Sequence, residues 1–198
     1  MKVAYLSLRE IHPQRRVIAG RNKRYREYKS ELREDFYRKC GYCDTIDFYF
    51  GGVRGFHIDH FAPKKLFVTL ADSYDNLVYC CPICNIGKSD DWPSTSATVS
   101  YVDDCGYIDP CSEMYIRHLG RAPDGKIVAL TPLGAYMHKR LKLHLVRRQL
   151  CWLLERIDSQ LISLADYVKN HPENTDAVLR FTCLFQEFSK YSGILKRD

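Results

Sequence analysis

Apolar positions change rhythm along this chain, and each change predicts an element. Lys2 to Leu8 alternates as a short strand, and Pro13 ends any regular structure there. From about Asn22 to Lys39 the residues Tyr25, Tyr28, Leu32, Phe36 and Tyr37 recur at helical spacing, which predicts an amphipathic helix delivering Cys40. Ile46 to Phe50 is β-branched and aromatic, Gly51-Gly52 signals a turn, and Phe56 to Phe61 returns as a second strand closed by Pro63. Asn76-Leu77-Val78-Tyr79 is again short and extended in character. The helix after it starts near Pro82, a residue suited to a first helical turn. Asp90 to Ser100, rich in Ser, Thr, Asp and Pro, reads as a loop.

The remainder has a different texture. Asp124-Gly125 is a turn between short apolar runs. Gly134 to about Asn170 then carries Met137, Leu141, Leu145, Leu150, Leu153, Leu154, Ile157, Leu161, Leu164 and Val168 at helical period, with a break near Leu143 and His144. Pro172 separates this segment from a last helix, Asp176 to Tyr191, for which Gly193 is the expected stop. The leucines read as core, and neither an internal repeat nor a low-complexity tract is present. The expected organisation is α+β. Residues 1–100 hold a strand, loop, strand and helix behind an N-terminal helix, and residues 101–198 form a mainly helical extension.

Composition narrows the class. A chain of 198 residues with 45% hydrophobic content can bury a real core, so disorder is not expected. Nine cysteines in a chain of this size argue for metal rather than a disulfide scaffold because of their paired spacing, and the expected compartment is a reducing cytoplasm. Met1 to Leu8 is too brief for a secretory apolar region, and no window reaches the length of a membrane span. The formal net charge of +6 is modest but clustered: Arg15, Arg16, Arg21, Lys23, Arg24 and Arg26 fall close together, and Arg147 and Arg148 form a second group. With Tyr25 and Tyr28 interleaved, the first cluster reads either as a polyanion-facing surface or as a solvated helix face.

The chemistry concentrates between two Cys-x-x-Cys pairs, Cys40/Cys43 and Cys81/Cys84. Two pairs at that spacing close a four-thiolate zinc site, with Gly41 expected to allow the tight turn of the knuckle. Cys80 competes with Cys81, but only Cys81 gives the two-residue gap. Cys105, Cys111, Cys151 and Cys183 do not repeat the pattern, and Cys105, Cys111 and His118 lack a fourth ligand. Between the pairs lies His57-Ile58-Asp59-His60. Alternation puts His57 and Asp59 on one face of a strand and His60 on the other, unless the strand ends there. Asn85 and Lys88 share a helical face.

The succession Cys40-Gly41-Tyr42-Cys43, His57-Ile58-Asp59-His60, Asp75-Asn76-Leu77-Val78 and Cys81-Pro82-Ile83-Cys84-Asn85-Ile86-Gly87-Lys88 resembles the zinc-braced HNH endonucleases, a branch of the ββα-metal or His-Me finger nucleases. The resemblance implies a zinc-braced ββα-metal core with flanking helices. It implies that His60 is the general base, Asp59 a ligand of a catalytic divalent metal, and Asn76 the residue holding the loop that orients the base. Asn85 is implied as a second metal ligand, where many relatives carry histidine. The residue chemistry agrees. A histidine near its ordinary pKa of about 6.5 is largely neutral at cellular pH and accepts a proton from water. Oxygen donors from Asp59 and Asn85 suit Mg2+ or Mn2+ better than Zn2+. His57 and Lys88 are candidates for phosphate contacts, set against a packed histidine and an ordinary surface lysine.

Beyond the core, Tyr107-Ile108-Asp109-Pro110-Cys111, His118, Asp124-Gly125-Lys126-Ile127, Thr131-Pro132-Leu133-Gly134 and Leu141-Lys142-Leu143-His144 resemble the extension of small bacterial HNH proteins of anti-phage defence systems, Septu-type or retron-associated. Leu143-His144 departs from the Leu-Asn that such relatives tend to carry. The resemblance implies a DNA substrate and an ATPase partner, and any ATP use would come from that partner because the chain has no Walker-type glycine loop. The alternative reading is a non-catalytic zinc module that binds nucleic acid or protein.

Overall fold

The computed structural model describes residues 4–18 and 23–197, so the expectations for Lys2, Arg21 and Asn22 lie outside the described residues. By packing, the chain forms two compact units, Met1–His144 and Leu145–Asp198. The first begins with β1 (Leu6–Ser7), a 3-10 turn at Tyr25–Tyr28, and α1 (Lys29–Asp35). A second 3-10 turn (Asp47–Phe50), α2 (Gly52–Gly55), β2 (His57–His60), β3 (Leu77–Cys80) and α3 (Pro82–Lys88) follow. Then come β4 (Tyr101–Val102), β5 (Cys105–Gly106), α4 (Tyr115–His118), β6 (Leu119–Arg121), β7 (Ile127–Ala129) and α5 (Pro132–Arg140). The second unit is two long helices, α6 (Val146–Asn170) and α7 (Thr175–Leu195), packed along each other.

Strands β2 and β3 pair antiparallel, with His57 opposite Cys80 and His60 opposite Leu77, and α3 follows directly. This strand pair and helix, with the cysteine cluster described below, form a mixed α and β structure that fits zinc bracing. β1, β6 and β7 form a separate antiparallel sheet in that order of β1, β6, β7. One core joins the elements of the first unit: Tyr28, Leu32 and Phe36 meet Phe56, Leu77, Val78 and Tyr79, and Tyr107, Tyr115, Met137 and Leu141 complete it. Residues 101–144 therefore pack in the same unit as the cysteine motifs. The boundary expected near residue 100 marks a change of composition, while packing divides the chain after His144.

Local sequence explains where the helices start. Pro82 takes the first turn of α3, where no amide donor is missed, and the Cys81 sulfur caps it by accepting from the Cys84 amide at 3.4 Å. α5 uses the same device, with Pro132 in the first turn and Thr131 Oγ1 accepting from the Gly134 amide at 3.0 Å. The expected break is present: α5 ends at Arg140, Lys142 turns left-handed at φ 52°, and α6 begins at Val146.

Several expectations need correction. The helix expected from Asn22 to Lys39 is a 3-10 turn followed by the short α1, because left-handed Tyr37 and Arg38 (φ 52° and 61°) fold the chain back toward Cys40. The strand expected at Ile46 to Phe50 is a 3-10 turn. Asp47 is buried there, accepting from Arg33 Nε at 2.6 Å and the Tyr79 hydroxyl at 2.8 Å, and this anchor outweighs β propensity. Gly41 is not the left-handed residue of the knuckle; Asp44 is, at φ 60°. Gly41 is required by crowding instead, since a Cβ there would lie 2.6 Å from Phe36 Cε1 and 2.8 Å from Val78 Cγ1. Gly193 does not stop α7, which continues to Leu195.

Three residues of the basic cluster are paired with acids. Arg15 donates to both oxygens of Asp109 and to the Leu77 carbonyl, Arg16 pairs with Glu34 and Asp35, and Lys23 pairs with Glu31. Of the second group, Arg148 is buried. Among the described residues, no helix is long and apolar enough to cross a membrane.

Candidate active site and metal centre

Cys40 and Cys43 come from the knuckle after α1, Cys81 and Cys84 from the first turn of α3. Their four sulfurs lie within 4.8 Å of one another, all buried, with Cys43 and Cys81 at 4.0 Å. Tetrahedral zinc with Zn–S bonds of about 2.3 Å spaces its sulfurs by roughly 3.8 Å, so the donor set fits a structural zinc. Burial drives the Cys40 thiol well above its ordinary pKa, a penalty on the thiolate that a bound cation offsets. Cys80 lies outside the cluster and Cys81 inside it. Among the described residues, Cys105, Cys111 and His118 do not gather into a metal-holding group.

One strand pair away, Asp59 on β2 is held from beneath. The Tyr42 hydroxyl donates to its Oδ2 at 2.5 Å, and Lys88 Nζ lies 3.1 Å from the same oxygen. Lys88 is fully buried and also donates to the His60 carbonyl at 2.9 Å. Of the two readings weighed for Lys88, a phosphate contact and an ordinary surface lysine, the second does not hold, since the side chain is packed under the strand with both its contacts inside the protein. Both contacts use Oδ2 of Asp59 and leave its Oδ1 without a hydrogen-bond partner among the described residues.

His60, the last residue of β2, lines the same cleft as Asp59 and His57. Its Nε2 lies 2.9 Å from the Ala71 carbonyl. A carbonyl only accepts, so Nε2 carries the proton and the Nδ1 lone pair is available. Burial, with Lys64 and Lys88 adding to it, lowers the His60 pKa below the ordinary imidazole value despite opposing contributions from the Ala71 bond and Asp59. Asn76 fixes the loops on either side. Its Oδ1 accepts from the Ala62 amide at 2.8 Å, and its Nδ2 donates to the Ala62 carbonyl at 2.9 Å and to the Leu70 carbonyl at 3.3 Å, one residue before Ala71.

Asn85 on α3 completes the group. Its Nδ2 donates to His57 Nδ1 at 3.1 Å, so His57 engages the amide nitrogen and the amide oxygen is left with one long contact, to the Cys80 sulfur at 4.0 Å. The structure therefore brings His57, Asp59, His60 and Asn85 to one cleft of about 750 Å³. Tyr25, Arg26, Lys29, Arg54 and Lys64 line its other walls.

Residues 40–91 match the family model for HNH endonucleases. Among curated proteins and among solved structures, nothing matches the chain. The matched stretch holds both cysteine pairs, β2, β3 and α3, and it suggests a nuclease that uses a divalent metal on a nucleic acid substrate. Sequence reasoning missed Tyr42 as a contributor and placed Tyr25 only in the basic cluster, without its contact to His60. Tyr42, inside the knuckle, holds Asp59; the only signal was its place between the zinc ligands. Tyr25 lies outside the match, and its ring meets that of His60 edge-on at 4.8 Å.

Proposed function

We propose that this chain is a metal-dependent endonuclease that hydrolyses DNA phosphodiester bonds, with His60 as general base. The supporting observation is the state of His60: its Nε2 is committed to the Ala71 carbonyl, its Nδ1 is available, and it shares a cleft with Asp59 and Asn85. In this reading Nδ1 takes a proton from water, the resulting hydroxide attacks phosphorus, the bond from phosphorus to the 3′ oxygen breaks, and the departing 3′ alkoxide takes a proton from solvent water. Asp59 Oδ1 and the Asn85 amide oxygen would hold a divalent ion, and two hard oxygen donors fit Mg2+ or Mn2+. The ion, when bound, supplies charge stabilisation at the phosphate and at the departing oxygen. Tyr42 and Lys88 orient Asp59, Asn76 steadies the loop that carries the Ala71 carbonyl, and His57 turns the Asn85 amide so that oxygen is presented.

The test is cleavage of supercoiled plasmid by zinc-replete protein across added divalent ions. Cleavage that requires Mg2+ or Mn2+ and disappears in His60→Ala, with zinc content and fold retained, is the expected result. Full cleavage by His60→Ala removes this residue from the mechanism, and strand binding with no scission under any ion, even with a co-purified ATPase partner present, favours the non-catalytic zinc module. We further propose a cytoplasmic role in anti-phage defence beside an ATPase partner, supported by the resemblance of residues 107–144 to such proteins. Co-purification of an ATPase that raises cleavage is the expected observation.

A further inference from the structure

The wall of the cleft opposite α3 is built by a segment that the HNH match does not reach. Tyr25 is anchored there by its backbone amide, which donates to Asp72 Oδ1 at 2.8 Å, and by the turn it begins, where the Glu27 carboxylate accepts from the Arg24 amide at 2.9 Å. Its ring rests edge-on against His60. Its phenol oxygen receives two cations: Arg26 Nε at 3.1 Å and Lys64 Nζ at 3.3 Å, the latter also 4.6 Å from the ring centroid.

That arrangement is uncompensated. A phenol is a neutral acceptor, yet two full positive charges converge on it, and among the described residues neither Arg26 nor Lys64 has a carboxylate partner. The neighbouring acids are engaged elsewhere: Asp72 accepts from the Tyr25 backbone, and Asp90 lies 3.6 Å from Lys65. The contrast with the rest of the N-terminal cluster is direct, since Arg15, Arg16 and Lys23 are each matched to an acid. Hydrogen bonding from Arg26, with Lys64 adding to it, lowers the Tyr25 pKa, as expected for a phenol in unbalanced positive charge.

We propose that Tyr25, Arg26 and Lys64 form an anion subsite that holds the backbone phosphate flanking the bond to be cut. This rests on the nuclease reading. It gives the cleft a second grip on the strand beside His60, provided by the segment before the cysteine knuckle and by the loop after β2. The Tyr25 ring keeps the flanking phosphate site in register with the base, because one face of the residue touches the imidazole while its oxygen sets the two cations.

The subsite is tested by binding of a labelled DNA duplex of mixed sequence to the full chain in the His60→Ala background, over a series of salt concentrations. Each phosphate contact removed lowers the slope of log affinity against log salt by about 0.9 for a duplex. Arg26→Gln and Lys64→Gln are each expected to lower it by about that amount and to weaken binding roughly tenfold, while Lys169→Gln leaves it unchanged. In the cleaving protein, Tyr25→Phe keeps the ring on His60 but loses the oxygen, so KM rises several-fold with kcat nearly constant. Unchanged slopes in both cation variants, or a kcat loss at unchanged affinity, overturn the subsite while leaving metal-dependent plasmid cleavage standing. A parent protein that binds no strand and cuts no plasmid overturns the subsite and the nuclease reading together.

Discussion

At the scale of single residues, burial decides roles that side-chain chemistry leaves open. Lys88 is a long cation on a helix, ordinarily a surface residue. Here it lies under β2 between the Asp59 carboxylate and the His60 carbonyl, so removing it leaves a buried acceptor and a buried charge without their partner. Lys88→Met is expected to cost about 3 kcal/mol in urea unfolding. It should leave the salt dependence of strand binding unchanged, because both contacts of Lys88 lie inside the protein. His60 is the converse case, a titratable group whose pKa burial lowers. A lowered folded pKa means that the base form persists on acidification to below the free-imidazole value of about 6.5. The acid limb of kcat/KM should therefore have its midpoint below that value, and a midpoint above it would count against His60 as the base. The same shift contributes to folding in full above about pH 6.5, and that contribution is lost as pH falls through the lower folded value.

At the scale of elements, the site depends on close approach. Gly41 donates its amide to the Tyr79 carbonyl at 2.9 Å and has no room for a methyl group, so Gly41→Ala is expected to destabilise by about 1–3 kcal/mol in thermal or urea unfolding. Asn76→Ala would leave the buried Ala62 amide without its side-chain acceptor and release the loop holding Ala71. A stability loss of about 1–3 kcal/mol should accompany a drop in kcat larger than any change in KM, measured by denaturation and plasmid kinetics. The elements carried by local signals were legible in sequence. Pro82 starts α3, Gly51-Gly52 turns left-handed at φ 82° and 67°, and the cysteine spacing produces the cluster. What failed depended on distant partners. Asp47 makes a 3-10 turn of an apparent strand only because Arg33 and Tyr79 reach it. Tyr25 counted as one position in a helical period and as part of the basic cluster, and nothing in its neighbourhood along the chain told that His60 would lie against its ring.

At the scale of the whole molecule, the four sulfurs tie the knuckle after α1 to the start of α3, and α3 carries both Asn85 and Lys88. Cys84→Ser is expected to lose zinc, measured by metal analysis, and to unfold the first unit at lower urea concentration. Added Mg2+ or Mn2+ should not restore its cleavage, since the defect lies in the frame and not in the catalytic ion. Restoration by those ions would separate the frame from the site. α7 presents another character: it has no buried residue, and Leu179 and Phe185 on it are exposed.

Lys88 Nζ lies 3.1 Å from Asp59 Oδ2, so the proposed ion meets a carboxylate that already has a cationic neighbour and an uncharged amide. Such a pair of donors grips a divalent cation loosely, and the missing attraction must come from the polyanion itself. Ion and strand then load cooperatively, each raising the other's affinity by the same factor. In the proposed mechanism, occupancy of the centre depends on the arrival of substrate as well as on the concentration of free metal.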